Sequence, residues 1–136
     1  MYSWLDKTSS RGVGYMAKKK VLVVDDEPHI VNLIKMTLED KYDVLEAYSG
    51  TQAVDLVKKT TPDLVVLDLM MPHVDGFKTC QLLRGLPQTK RTPIMILSAK
   101  SQITDKFRSV NAGADDYMVK PFDPQDLLKR IAANLG

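Results

Sequence analysis

Five short apolar runs punctuate the chain, at 21–25, 43–48, 64–68, 93–98 and 116–119. They are rich in Val, Ile, Leu or Tyr and read as β-strands. Between them, apolar residues recur at helical spacing. Ile30, Val31, Leu33, Ile34 and Leu38 fall on one face of a first helix, with Pro28 in its opening turn. Ser49 can cap a second helix carrying Ala53, Leu56 and Val57, stopped before Pro62. Phe77, Cys80 and Leu83, with the neighbouring Leu82, make a third that ends near Gly85. Ile103, Phe107 and Val110 make a fourth, ending before Gly113. Pro124 opens a fifth, with Leu127, Leu128, Ile131 and Leu135 turned inward. Five strands alternating with five helices predict an α/β fold on a parallel sheet. The apolar strands agree, because helices cover both faces of such a sheet. Ligands then bind beyond the carboxyl ends of the strands, where the strand order reverses.

Length and charge narrow the classes. The 136 residues suffice for one domain with a single core. Apolar runs of four, such as 21-VLVV-24 and 94-IMIL-97, are far too short to cross a bilayer, so no membrane partner is expected. Residues 1–16 show no strand or helix period and no signal-peptide block. They read as an N-terminal leader or tag, with the domain proper at 17–136. The net charge of +2 conceals an asymmetry. Lys7, Arg11, Lys18, Lys19 and Lys20 face only Asp6 in the first 20 residues, leaving 14 basic against 16 acidic side chains thereafter. A domain that binds nucleic acid directly would show the opposite imbalance. The lone Cys80 builds no disulfide framework, which fits a reducing cytoplasm.

The chemistry collects at the strand ends. The first strand ends in Asp25-Asp26-Glu27, the third in Asp68, the fourth in Ser98, and the fifth in Lys120-Pro121. Each has a bland reading: Asp26 as a helix cap, Ser98 as a turn residue, Lys120 as a solvated charge. Their convergence on one edge of the sheet makes that reading weak. Carboxylates crowded together repel unless a cation lies between them. Magnesium is the natural occupant, since it takes one or two carboxylates with waters and phosphate oxygens. Asp25 and Asp26, completed by Asp68, are the candidate ligands.

The blocks VLVVDDEP, LVVLDLMMPHVDGF, ILSAK and GADDYMVKPF resemble, in order and separation, the receiver domains of bacterial two-component response regulators over about residues 18–136. That resemblance implies a flavodoxin-like strand order of 2-1-3-4-5. It also implies a phosphoacceptor signalling domain rather than an enzyme, limited to self-catalysed aspartyl phosphorylation and dephosphorylation. Asp68 would be the phosphoacceptor. Asp26 and Asp68 would hold Mg²⁺ with the backbone carbonyl of Met70, and Asp25 would act mainly through a bound water. Lys120 would pair with one phosphoryl oxygen and Ser98 would hydrogen-bond another. Ser98 stands where the family more often has Thr; without the methyl, its rotation is freer. Tyr117 matches the aromatic that turns inward on switching. The Lys120-Pro121 bond would be cis, aiming the ammonium at the site. Met70 and Lys100 would shape water access and hence the lifetime of the aspartyl phosphate.

The phosphoryl donor would be a sensor histidine kinase or a histidine phosphotransfer protein. The aspartyl phosphate would bias the surface of the fourth helix, fifth strand and fifth helix toward a downstream protein target. At the positions where the winged-helix subfamily makes cross-subunit ion pairs, this chain has Lys106 with Asp126 and Asp116 with Arg130, while Asn111 and Ala132 replace a third pair. A weak, phosphorylation-dependent homodimer is expected. Two outputs fit: a free-standing receiver or relay protein, or the receiver of a DNA-binding transcriptional regulator. A haloacid-dehalogenase-type phosphatase would need a second acid where 68-DLM-70 has Met, and a flavodoxin would need an uncharged phosphate loop where DDEP stands. His29 and His73 lack partners at metal-ligand spacing. Cys80, on an apolar helix face, reads as core.

Overall fold

The computed structural model describes residues 17–69, 76–99 and 103–136, the last without the side chains of Ile103, Thr104, Asp105 and Phe107. The strands are β1 Lys19–Val24, β2 Tyr42–Ala47, β3 Leu64–Asp68, β4 Ile94–Ser98 and β5 Asp116–Val119. The helices are α1 Pro28–Leu38, α2 Gly50–Lys59, α3 Gly76–Gly85, α4 Ile103–Asn111 and α5 Pro124–Leu135, with a 3₁₀ turn at Pro87–Thr89. All strand pairs are parallel, in the order β2-β1-β3-β4-β5. This is the flavodoxin-like arrangement. The chain steps outward from β1 to β2, then returns past β1 to β3, so the order reverses between β1 and β3.

Alternation along the strands builds two cores, one on each face. Leu22, Val24, Val65, Leu67, Ile94 and Ile96 pack with Ala53 and Val57 of α2 and with Cys80 and Leu83 of α3. Val21, Val23, Val66, Met95 and Leu97 pack with Val31, Ile34 and Leu38 of α1 and with Leu127 and Ile131 of α5. Residues 21–24 of β1 and all of β3 and β4, the three inner strands, are thus buried on both sides, which explains their apolar runs. Helix starts follow local chemistry. Ser49 Oγ accepts the Gln52 amide at 3.1 Å while Gln52 Oε1 accepts the Tyr48 amide at 2.8 Å, a reciprocal cap on α2. Asp123 caps α5 by accepting the Gln125 amide at 2.8 Å.

Three residues depart from the expected inward faces. Leu33, Leu82 and Val110 are exposed. The helices lie against one sheet face and need only a narrow stripe. Val31, Ile34 and Leu38 supply it on α1 and Cys80 and Leu83 on α3, so a leucine one residue off turns outward. In α4, Ser109 faces inward instead, leaving Val110 to solvent. Asp26 does not cap α1: the N-cap is Glu27, whose side chain makes no capping bond. Residues 1–16, Met70, His73 and Lys100 lie outside the described residues. Among the described residues no helix is long and apolar enough to cross a membrane.

Candidate functional site

The reversal between β1 and β3 places two strand ends side by side. Val24 is in register with Leu67, and the residues that follow, Asp25 and Asp68, bring two carboxylates together. The Asp25 amide donates to the Ala47 carbonyl at 3.1 Å, and the Leu69 amide to Leu97 at 3.1 Å, so the sheet bonding extends to the rim. Asp25 and Asp68 are 1% and 3% exposed, and Asp26 is half-buried beside them. One oxygen from each of the three lies within 4.8 Å of the others.

Lys120 enters from the end of β5. Its amide donates to the Ser98 carbonyl at 2.6 Å, which seats it beside β4. Its ammonium lies 3.1 Å from Asp68 Oδ1 and 3.8 Å from Asp25 Oδ2. The Lys120–Pro121 peptide bond is cis. Ser98, the last residue of β4, is fully buried. Tyr117 is half-buried against the core beneath α2 and α3. The structure therefore brings Asp25, Asp26, Asp68 and Lys120 into one cluster, with Ser98 at the adjoining strand end.

The electrostatics are unbalanced. Asp25 is pushed up to about 7, first by burial and then by the neighbouring Asp68 charge; the Glu27 amide, at 3.0 Å from Asp25 Oδ1, and Lys120 pull the other way. One ammonium serves two buried carboxylates, and a third stands beside them. Among the described residues, Asp25 Oδ2 and Asp26 Oδ1 are buried without a hydrogen-bond partner. Carboxylate oxygens at this spacing fit a hard divalent cation with oxygen ligands, as Mg²⁺ is. By contrast, burial pushes the Cys80 thiol up to about 11, which makes it an inert core residue.

The opposite rim holds a cluster that sequence reading passed over. Arg84, at the end of α3, donates to the carbonyls of Thr89, Lys90, Thr92 and Gly113 and to Asp115 Oδ2 at 2.7 Å. Asp115 also accepts the Ile94 amide at 2.9 Å. The only hint in the chain is an arginine just before Gly85, and nothing there points 31 residues ahead. Gly76 was equally silent. A Cβ on it would lie 2.8 Å from Leu69 Cα and 3.0 Å from the Asp68 carbonyl, so α3 can begin this close to the site only with glycine.

Of the expected dimer residues, Asp116 and Arg130 meet within the chain at 2.6 Å, and Asn134 donates to Asp116 Oδ2 at 2.9 Å. Lys106 and Asp126 are exposed.

The chain is similar to known proteins in sequence and in fold. The response regulator receiver domain model matches residues 21–132. The DNA-binding dual master transcriptional regulator RpaA of Synechocystis is 44% identical over 117 residues, covering 85% of this chain and 48% of RpaA. The alkaline phosphatase synthesis transcriptional regulatory protein PhoP of Bacillus subtilis is 45% identical over 118 residues, 86% of this chain and 48% of PhoP. The chain thus spans about half the length of these curated relatives. Among solved structures, chemotaxis protein CheY4 of Vibrio cholerae superposes with a TM-score of 0.84 at 34% identity, covering 87% of this chain and 99% of that one. The receiver domain of sensor histidine kinase PA1611 from Pseudomonas aeruginosa, solved with a magnesium ion coordinated in its active site cleft, gives 0.81 at 28% identity, covering 88% and 99%.

Proposed function

The chain belongs to the response regulator receiver family, and on that premise we propose that Asp68 accepts a phosphoryl group from a histidine kinase or phosphotransfer protein. The observation that carries this reading is the buried Asp68 carboxylate at a strand end, met by the Lys120 ammonium at 3.1 Å and flanked by two further carboxylates. Asp26 and Asp68 would hold Mg²⁺, with the Met70 carbonyl as a further ligand and Asp25 contributing mainly through water. The metal, when bound, supplies positive charge beside the equatorial phosphoryl oxygens.

The chain's own residues do the rest. One Asp68 oxygen attacks phosphorus in line; the new O–P bond forms as the P–N bond to the donor histidine breaks, leaving the imidazole with the electron pair. Lys120 exchanges the Asp68 carboxylate for a phosphoryl oxygen, and the Ser98 hydroxyl donates to another. The reaction needs positioning and charge more than covalent chemistry by the protein. The added dianion would then bias α4, β5 and α5, with Tyr117 following Ser98 inward. Met70 and Lys100 would screen the phosphoryl group from water.

A second reading concerns output. Besides a free-standing receiver or relay, the chain fits the receiver part of a DNA-binding transcriptional regulator, because relatives such as RpaA are matched over only 48% of their length. Residues 1–16 are then an extension ahead of a receiver at 17–136, acting in the cytoplasm. The receiver reading is tested by incubating the protein with phosphoramidate, with Mg²⁺ or with chelator, and weighing it intact. One phosphoryl group per chain, only with the metal, is the result expected; no incorporation would remove the reading.

A further inference from the structure

Among the described side chains of α4 only Ser109 is buried, while Lys106, Arg108, Val110 and Asn111 are exposed. Its C-terminal end is pinned by polar bonds. The Gly113 carbonyl accepts Arg84 Nε at 3.1 Å and Nη2 at 2.8 Å, and the same guanidinium grips the carbonyls of the α3–β4 connection. Gly113 has φ +101°, and a Cβ there would lie 3.1 Å from Arg84 Cγ, so the pin depends on glycine.

The Arg108 guanidinium of α4, upstream of that pin, rests 4.0 Å from the centre of the Phe77 ring. Phe77 directly follows Gly76, which abuts the Asp68 carbonyl and Leu69. The backbone of Asp68, the glycine contact, the ring and the guanidinium therefore form one contiguous path to α4.

Resting on the reading that Asp68 takes the phosphoryl group, we infer that the Arg108–Phe77 contact is a catch on α4. It belongs to the arrangement in which Lys120 pairs with the Asp68 carboxylate, and it opens as α4 turns about the Arg84–Gly113 pin. The exposed Arg108 guanidinium meets a half-buried ring that packs against the core, and a cation–π contact at the protein surface shifts a two-state equilibrium by about two- to fivefold. The bland alternative is a surface contact that adds stability and nothing else. Phe77→Leu keeps an apolar side chain but removes the ring, and Arg108→Met keeps the apolar stem but removes the charge.

The test is a double-mutant cycle on the initial rate of phosphoramidate labelling with Mg²⁺, alongside urea denaturation. Each single variant should label about two- to fivefold faster than the parent, and the double variant no faster than either single. Arg108→Lys should fall between, since a lysine keeps charge but loses planar stacking. Slower labelling, unchanged rates, or independent effects that multiply in the double variant would overturn the catch, even if stability falls. A parent that takes no label would remove the phosphoacceptor premise and the catch together; a labelled parent with unmoved variants removes only the catch.

Discussion

Arg130 Nη1 lies 2.6 Å from Asp116 Oδ1 within one chain, closing a pair whose signs equally suit a contact between two subunits. The Asn134 amide holds the other Asp116 oxygen and donates also to the Arg130 carbonyl, so the pair is fixed on the β5–α5 surface. A dimer through this face must exchange an existing ion pair for an equivalent one. The net gain is small, because exposed pairs contribute only about 0–1 kcal/mol.

The protein should therefore be a monomer before phosphorylation and a weak dimer in the beryllofluoride form, weakened further by salt. Arg130→Glu should abolish that dimer. Sedimentation of the beryllofluoride form at low salt checks this; a strictly monomeric species at high protein concentration would contradict it and favour the relay output.

Arg84 joins α3, the α3–β4 connection and the α4–β5 turn through one guanidinium. Arg84→Ala should lower stability by about 2–4 kcal/mol, since it strands the part-buried carbonyls of Thr89, Thr92 and Gly113. Arg84→Lys should recover little, because one ammonium cannot span that set of acceptors. Urea midpoints report both. A loss within about 0.5 kcal/mol for the alanine variant would place Arg84 among ordinary surface residues.

Asp25 carries the pH dependence. Its carboxyl is held at about 7, above its ordinary value near 4, chiefly by burial and then by Asp68. A raised acid contributes stability that is fully present below its unfolded pKa and is lost as pH rises through the folded one. In chelator, the contribution of Asp25 should accordingly fade between about pH 4 and pH 7. Mg²⁺ competes with that proton, so its affinity should fall below about pH 7, approaching tenfold per unit. Metal titrations at several pH values, in the parent and in Asp25→Asn, check this. The variant should show a flatter profile, and equal slopes would contradict the assignment.

The sheet and its acid rim were legible because they rest on local patterns. Strands buried on both faces read as apolar runs, and a carboxylate such as Asp68 after LVVL stands out against them. Strand order came from the resemblance of whole blocks, since periodicity says nothing about which strand neighbours which. Contacts between distant residues were not legible. Arg84 and Asp115 each look like surface charges until the fold brings them together. Leu33, Leu82 and Val110 misled because an apolar residue 100° from a buried stripe satisfies the same spacing rule. The Asp116–Arg130 signs likewise cannot distinguish a pair within a chain from one between chains.

Where the phosphoryl group resides is the most direct question. Protein labelled with phosphoramidate and Mg²⁺, trapped by borohydride reduction and mapped by peptide mass spectrometry, should carry the modification at Asp68, and Asp68→Asn should take up none. Equal labelling of Asp68→Asn, or modification mapped to Asp25 or Asp26 in the parent, would contradict the account.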